Sequence, residues 1–207
     1  MSARALETLN CCDYVASEDT RNTGKLLSLL GIKKPLISIH QHSNEAKIKD
    51  VISDLEKGKN ICYVSDAGTP NLSDPGGKLV EQAFLHNIEV SPIPGASALT
   101  TLISVAPFDC SRFIFLGFFP KKKGRVTMIK TIQNQEYPVF FFESCHRIKK
   151  TLQLLSENLP EYHILIGREL TKKFEQILYL KLTDKEALAA LSEKGEFALG
   201  LVKTRGI

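Results

Sequence analysis

Short apolar segments alternate with amphipathic helical segments along most of the 207-residue chain. Residues 61–64 form a compact apolar run typical of a short strand, whereas residues 44–57 carry apolar side chains at helical spacing and end at Gly58. Strands separated by helices of this length need crossover connections, which produce parallel pairing. The alternation therefore predicts an α/β protein whose first sheet is mostly parallel.

The same patterns divide the chain into two parts. In the first part we predict helices over 5–11, 20–30, 44–57 and 95–105, and strands over 13–17, 35–40, 61–64 and 88–93. We predict one further helix there, with Asp74 as its cap and Pro75 in its first turn. In the second part we predict strands over 113–119, 139–142, 162–167, 177–182 and 197–202, with helices over 144–158 and 183–194. A seam near residues 106–109 would separate an N-terminal α/β domain, residues 1–108, from a C-terminal α/β domain, residues 109–207, with a mixed sheet.

Charge is distributed unevenly between the two parts. Residues 1–111 contain 10 Lys and Arg against 13 Asp and Glu, a net charge of −3, and residues 112–207 contain 17 against 10, a net charge of +7. A basic half suits a polyanionic partner such as nucleic acid, but a solvated basic surface is the commoner reason for such a balance.

Several classes of protein are not favoured by the sequence. No apolar run reaches the ~18 residues that a membrane span needs, and the first residues lack the apolar core of a signal peptide. The five cysteines include no Cys-x-x-Cys pair, and His40 and His42 have no third ligand at metal-binding spacing. We therefore expect free thiols, a cytoplasmic protein and no bound metal.

The most informative loop follows the strand over 61–64 and carries Asp66, Ala67, Gly68, Thr69 and Pro70. Ligands bind beyond the carboxyl ends of strands in open α/β sheets, and small residues allow the backbone to approach a ligand closely. The alternative to a ligand-binding loop is a tight turn before a well-capped helix. A second turn of the same kind contains Pro94, Gly95, Ala96 and Ser97, but neither turn has the glycine spacing of a dinucleotide or triphosphate loop.

Charged clusters follow other predicted strands. Residues 18–21 are either a helix cap with acidic first-turn residues or part of a ligand cleft, and the sequence leaves both open. The basic loop of Lys121, Lys122, Lys123 and Arg125 is a plausible phosphate contact, or a solvated loop. Cys145 adjoins His146, but sequence neighbours rarely form a nucleophile and base pair.

Taken together, these segments resemble the ribosomal RNA small subunit methyltransferase I family of the tetrapyrrole methylase superfamily. The resemblance covers nearly the whole chain in order, and Ser-Asp-Ala-Gly-Thr-Pro at 65–70 and Arg-Glu-Leu-Thr-Lys at 168–172 are its most specific parts. The other matching segments are 16–21, 38–42, 73–76, 92–95, 117–124, 142–147 and the Gly before Arg168.

The resemblance implies a two-domain tetrapyrrole-methylase-like fold, a homodimer, and S-adenosylmethionine bound between the domains by residues 66–70 and 94–97. It implies a cytidine 2′-hydroxyl in the decoding region of 16S rRNA, within the small ribosomal subunit, as the methyl acceptor. Arg147 and Arg168, with the 121–125 loop, become candidate RNA contacts. Glu143 is our candidate base, and Lys172 and Arg21 are candidate catalytic cations.

The chain departs from this family at its start. Family members begin with an apolar strand and a glycine turn before the first helix, whereas this sequence begins almost directly in that helix, at Ala3. We expect either an upstream start or a truncated form, so a non-catalytic remnant is one alternative function. The other is a methyltransferase of the same fold acting on a tetrapyrrole or a protein.

Overall fold

The computed structural model describes residues 1–40 and 45–203. His42 of the predicted histidine pair lies outside the described residues. The chain divides into two compact units, Met1–Ser97 and Ala98–Ile207, so the division falls earlier than the predicted seam at 108/109. The segment between the two positions includes a short helix that packs on the last strand of the second unit, which explains its assignment there.

The first unit contains three strands and four helices among its described residues. In chain order the helices are α1 (Ala3–Cys11), α2 (Thr20–Leu29), α3 (Glu45–Glu56) and α4 (Gly77–Leu85), and the strands are β1 (Tyr14–Ser17), β2 (Leu36–Ser38) and β3 (Ile61–Val64). The strand order is β2-β1-β3, and both pairings are parallel, as predicted. One apolar cluster joins Ala16 of β1 to α3 and α4, and another joins Val15 to α1 and α2, so helices cover both faces of the sheet.

Two local predictions in the first unit are wrong. Residues 88–93 form no strand, although their sequence is apolar and β-branched. A strand requires a partner for its backbone groups, and Pro92, like the neighbouring Pro94, supplies no N–H for a ladder. Asp74 and Pro75 do not begin α4, because residues 71–76 form an irregular turn in which the Asn71 N–H donates to the Pro75 carbonyl (3.3 Å).

The second unit contains a mixed sheet of five strands. Its elements are α5 (Ala98–Ile103), β4 (Ile114–Phe118), α6 (Arg125–Gln133), β5 (Val139–Glu143), α7 (Ile148–Asn158), β6 (Tyr162–Arg168), β7 (Gln176–Lys181), α8 (Lys185–Ala190) and β8 (Phe197–Lys203). The order is β4-β5-β8-β6-β7, with β4 and β5 parallel and the remaining pairs antiparallel. The predicted mixed sheet is confirmed, and β7 shows the expected alternation of half-buried and exposed residues.

Three helices in the second unit differ from the prediction. α6 was not predicted, since its sequence has only a weak apolar stripe. α7 begins at Ile148 rather than at 144, because residues 144–147 form a turn around the Glu143 side chain. α8 covers only the start of the predicted 183–194 helix, with Asp184 as its N-cap.

Candidate functional site

The carboxyl ends of β1, β2 and β3 lie at one edge of the first sheet, because the three strands are parallel. The Glu18 N–H donates to the Val64 carbonyl (3.3 Å), and the Ile39 N–H donates to the Ser17 carbonyl (2.7 Å). The Ser38 hydroxyl donates to the Glu18 carbonyl (3.3 Å). The predicted 18–21 and 66–70 segments are therefore neighbours at this edge, which is the usual position of a ligand in such sheets.

Asp66 connects these two segments through its side chain. Its Oδ1 accepts the Asp19 N–H (3.2 Å) and its Oδ2 accepts the Asn22 side-chain amide (3.0 Å). Asp19 is the N-cap of α2, and its carboxylate also accepts the Arg21 N–H (2.8 Å). The Asp66 carboxylate thus fixes the 66–70 loop against the first turn of α2, a role that neither segment indicates by itself.

Gly68 lies in the exposed part of this loop. Its φ is +69°, and a Cβ placed there would meet nothing within 4 Å. Gly76 and Gly77 differ, because a Cβ would approach the Tyr63 ring at 2.8 Å and the Asn71 side chain at 2.7 Å, respectively. Close packing and a φ of +136° therefore require glycine at 76, a side chain at 77 would displace the Asn71 amide, and the surface beside Gly68 is open to a ligand.

The second predicted turn is also open. Pro94, Gly95 and Ala96 are exposed, and nothing lies within 4 Å of a Cβ built on Gly95. The Pro94 carbonyl accepts the Ser2 hydroxyl (3.4 Å), which ties this turn to the start of α1. Ser97 is half-buried at the end of the turn.

Three carboxylates give this edge a negative potential. The pKa of Tyr63 is raised to about 12, first by burial and then by the charges of Glu18, Asp74 and Asp66. The pKa of Asp74 is raised by its own burial and then by Glu18 and Asp66. From its sequence position alone, Asp74 is expected only to cap a helix. Its place among strand-end carboxylates was the signal that could have identified it.

Arg21 extends from the first turn of α2 into solvent, with 85% of its side chain exposed. Its guanidinium pairs with Asp19 at 2.6 Å, and the hydrogen bond from Arg21 lowers the pKa of Asp19 to about 2. Arg21 therefore lies beside the Asp66 loop and is held in place by a capping carboxylate.

In the second unit, β4, β5 and β6 all run in one direction, since β4 is parallel to β5 and both β5 and β6 are antiparallel to β8. Glu143 and Arg168 both pair with Phe197 of β8, so the ends of β5 and β6 lie two strand spacings apart, about 10 Å. The loops that carry Lys121–Lys123, Arg147 and Lys172 consequently emerge at the same edge. We call this edge, with residues 119–125, 144–147 and 169–175, the basic edge.

Glu143 is buried behind the basic edge, with 1% of its surface exposed. Its Oε1 accepts the Ser144 N–H (2.6 Å) and pairs with the Arg147 guanidinium (2.6 Å), and its Oε2 accepts the Thr151 hydroxyl (2.6 Å). Both oxygens are thus engaged by internal donors. This is the environment of an anchoring carboxylate rather than that of a base that must reach a substrate hydroxyl.

Arg147 joins Glu143 to the basic loop. Besides the ion pair, its guanidinium donates to the Phe119 carbonyl (2.8 Å) and to the Ser144 hydroxyl (3.0 Å). Arg125 donates to the Thr151 hydroxyl (3.2 Å), and its guanidinium lies 5.6 Å from the Phe119 ring centroid. The three lysines of this loop are exposed, whereas Arg147 ties the loop to β5 and Arg125 ties it to α7.

Lys172 lies on the loop after β6, between two carboxylates. Its ammonium is 3.2 Å from Glu169 and 2.7 Å from Glu196. The hydrogen bond to Glu196 is the main cause that raises the pKa of Lys172, so the amine stays charged at neutral pH. Arg168 donates to the Phe174 carbonyl (3.1 Å) and to the Lys194 carbonyl, and thus fixes this loop from within.

The sequence model of the family described as Tetrapyrrole (Corrin/Porphyrin) Methylases matches residues 1–186. A solved diphthine synthase matches the fold with a TM-score of 0.76 at 17% identity, over 100% of this chain and 86% of that one. A uroporphyrin-III-C-methyltransferase from Thermus thermophilus matches with a TM-score of 0.63 at 14% identity, over 97% of this chain and 87% of that one. At these identities the structures establish the fold alone, and the family match defines the class: a tetrapyrrole methylase.

The sequence relatives are more specific. The ribosomal RNA small subunit methyltransferase I of Thermotoga maritima is 39% identical over 94% of this chain and 86% of its own length. The protein of the same name from Synechocystis is 41% identical over 96% of this chain and 72% of its own length. The chain therefore belongs to the ribosomal RNA small subunit methyltransferase I family, and it is a methyltransferase whose methyl donor is S-adenosylmethionine. No helix among the described residues is long and apolar enough to cross a membrane.

Proposed function

We propose that this protein transfers the methyl group of S-adenosylmethionine to the ribose 2′-hydroxyl of a cytidine in the decoding region of 16S rRNA. The observation that carries the proposal is the basic edge, where exposed lysines follow parallel strands of a +7 half of the chain. Relatives named for ribosomal RNA methylation share about two residues in five with this chain. The proposal includes a homodimer, the small ribosomal subunit as substrate and a cytoplasmic location.

The residues of the first unit fit the methyl donor. The open surfaces beside Gly68 and Gly95 admit a ligand to the backbone, and Glu18, Asp66 and Asp74 complement a donor that carries a sulfonium and an ammonium group. We assign cofactor contacts to residues 66–70 and 94–97. When bound, the donor supplies a methyl group that is already activated for displacement, so the protein's task is mainly orientation.

The acceptor hydroxyl must lose its proton as the new carbon–oxygen bond forms. The Glu143 carboxylate is enclosed by three donors, so we assign it to the support of the basic edge and leave proton removal to another group or to water. Lys172 is charged and exposed on that edge, and it suits stabilisation of the developing oxyanion. Arg21 is the corresponding cation beside the Asp66 loop.

Methyl transfer from labelled S-adenosylmethionine tests the proposal. We expect label in 16S rRNA of small subunits from cells that lack this methylation, at one ribose, detected as a 2′-O-methyl nucleotide after nuclease digestion. Porphyrinoid precursors and total protein should acquire no label. Label in porphyrinoid precursors or in protein would refute the rRNA assignment. An absence of label in rRNA, when the protein binds S-adenosylmethionine, would also refute it.

A further inference from the structure

The loop after β6 is held in a strained conformation. Glu169 and Thr171 have φ values of +47° and +65°, which side chains other than glycine rarely adopt and a β-branched residue almost never does. Such a conformation persists only when surrounding contacts fix it, and it is found most often at functional sites. The strain singles out this loop on the basic edge.

The fixing contacts are numerous. The Glu169 N–H donates to the Glu196 carbonyl (3.0 Å), and the Glu196 N–H donates to the Glu169 carboxylate (2.8 Å). A Cβ on Gly195 would meet the Glu169 side chain at 2.5 Å, so the loop packs directly on this glycine. Glu175 accepts the Thr171 N–H, and Arg168 holds the Phe174 carbonyl. The backbone of Phe174 therefore has a defined position.

The ring of Phe174 nevertheless points into solvent, with 62% of the residue exposed. A single exposed apolar residue needs no explanation, and Phe84 on α4, 66% exposed, is of that kind. Phe174 differs because it lies on a strained loop rather than on a helix, and because the Lys173 ammonium lies 5.6 Å from its ring centroid. It also lies on the edge where Lys121–Lys123 and Lys172 are exposed.

We propose that Phe174 is a stacking platform for an unpaired nucleotide of the RNA substrate, with Lys173 placed to contact the adjoining phosphate. The proposal rests on the proposed function for the identity of the RNA. An exposed aromatic ring among cations is the arrangement that binds single-stranded nucleic acid, since every base offers a face for stacking and the backbone of the nucleic acid is anionic. Because the Phe174 backbone is already fixed, the loop loses little conformational freedom on binding.

Tryptophan fluorescence tests the contact directly, because the natural chain contains no tryptophan. We expect the emission of Phe174→Trp to be quenched by an unpaired RNA oligonucleotide of the decoding-region sequence and much less by a fully paired duplex. Phe84→Trp, an equally exposed position on the first unit, is the matched control and should respond to neither. Equal quenching of the two variants, or none in Phe174→Trp while RNA binds, would overturn the proposal.

Methyl transfer gives the second readout. Phe174→Ala should raise the KM for small subunits about 10-fold, with kcat and the KM for S-adenosylmethionine within about twofold of wild type, and Phe174→Tyr should restore the KM. Phe84→Ala should behave as wild type. If wild type transfers no methyl group to rRNA, the proposed function fails, while quenching of Phe174→Trp by unpaired RNA still decides the stacking contact. An unchanged KM in Phe174→Ala would assign the exposed ring to another partner, such as a protein, and refute stacking.

Discussion

At the scale of single residues, the burial of Glu143 argues against the catalytic role that its residue type suggests. Glu143 follows an apolar strand and precedes a basic cluster, which is a reasonable place for a base, yet all its donors are internal. A buried carboxylate that is paired and hydrogen-bonded becomes costly to disturb, because its partners lose compensation together.

Replacement of the Glu143 carboxylate distinguishes a structural role from a role as the catalytic base. Glu143→Gln should lower the free energy of unfolding by about 3 kcal/mol, because Gln removes the charge that pairs with Arg147 and keeps only one acceptor oxygen for the three donors around this side chain. Urea denaturation measures this loss, and Glu157→Gln, an exposed carboxylate of α7, should change stability by less than about 0.5 kcal/mol. If Glu143 were the base, folded Glu143→Gln would lose about 100-fold or more in kcat; we expect kcat to stay near the wild-type value.

Whereas Glu143 stabilises the folded state, the charged form of Asp74 destabilises it. Its folded pKa is raised by burial and by Glu18 and Asp66, so the folded state binds a proton more readily than the unfolded state does. Stability linked to Asp74 therefore increases as pH falls towards the raised pKa, and its charge is unfavourable at pH 7.

Asp74→Asn should accordingly raise the Tm at pH 7, and the gain should shrink as pH falls through the raised pKa of Asp74. The same substitution should weaken the binding of S-adenosylmethionine at pH 7, because it removes one negative charge from the candidate site. Scanning calorimetry and titration calorimetry measure the two effects, with Glu81→Gln on α4 as the control. A pH-independent Tm difference would contradict the pKa argument, and unchanged affinity would remove Asp74 from the site.

At the scale of elements, the turns carry more information than the strands they follow. Gly31 and Gly68 have the same φ of +69° and the same empty space around a Cβ, but Gly31 ends a helix whereas Gly68 lies in the candidate cofactor loop. A substitution at either glycine therefore meets the same strain from the left-handed backbone, and only Gly68 lies where we propose that the cofactor binds.

The glycine pair provides a matched test of cofactor contact. Gly31→Ala and Gly68→Ala should each lower stability by about 1 kcal/mol, from the left-handed backbone alone. Only Gly68→Ala should weaken S-adenosylmethionine binding, by about 10-fold or more, because its methyl group would occupy the space beside the loop. Titration calorimetry on both variants decides the matter. Equal affinities in the two would exclude close contact at Gly68.

At the scale of the whole molecule, the direction of the strands determines where the unevenly distributed charges lie. The net charges of the two halves, −3 and +7, are compatible with many surfaces. The parallel direction of β4, β5 and β6 brings the loops with the second half's exposed lysines to one edge, while the carboxylates of the first unit gather at an edge of another sheet. Each unit thus has a surface whose charge suits one of the two proposed reactants.

Salt dependence tests this separation. Substitution of Lys121, Lys122 and Lys123 together by Ala should reduce the slope of log affinity for rRNA against log salt concentration by about 2, because each phosphate contact contributes ~0.7–0.9. Binding of S-adenosylmethionine should not change. Lys25, Lys49 and Lys57, three exposed lysines of the first unit, form the control triple. Equal loss of slope in the two triples would mean that RNA binding is not confined to the basic edge.

The family, the class of fold and most elements were accessible from sequence because they depend on local patterns. The 61–64 strand coincides with β3, and the half-exposed alternation predicted β7, since periodicity reports directly which side of an element is buried. Helix starts were less accessible, because the turn before α7 is fixed by Glu143 rather than by a capping sequence.

What the sequence by itself determined is therefore the α/β class with its parallel first sheet and mixed second sheet, most of the elements, and the residue types at strand ends. Only the tertiary structure decided that residues 88–93 form no strand, that Glu143 is enclosed, and that the ring of Phe174 is exposed on a fixed backbone. The physical reason is the range of the interactions. Periodicity and propensity act within one element, whereas strand pairing, burial and the fixing of a strained loop depend on contacts outside that element, including distant ones such as Lys194 for Arg168.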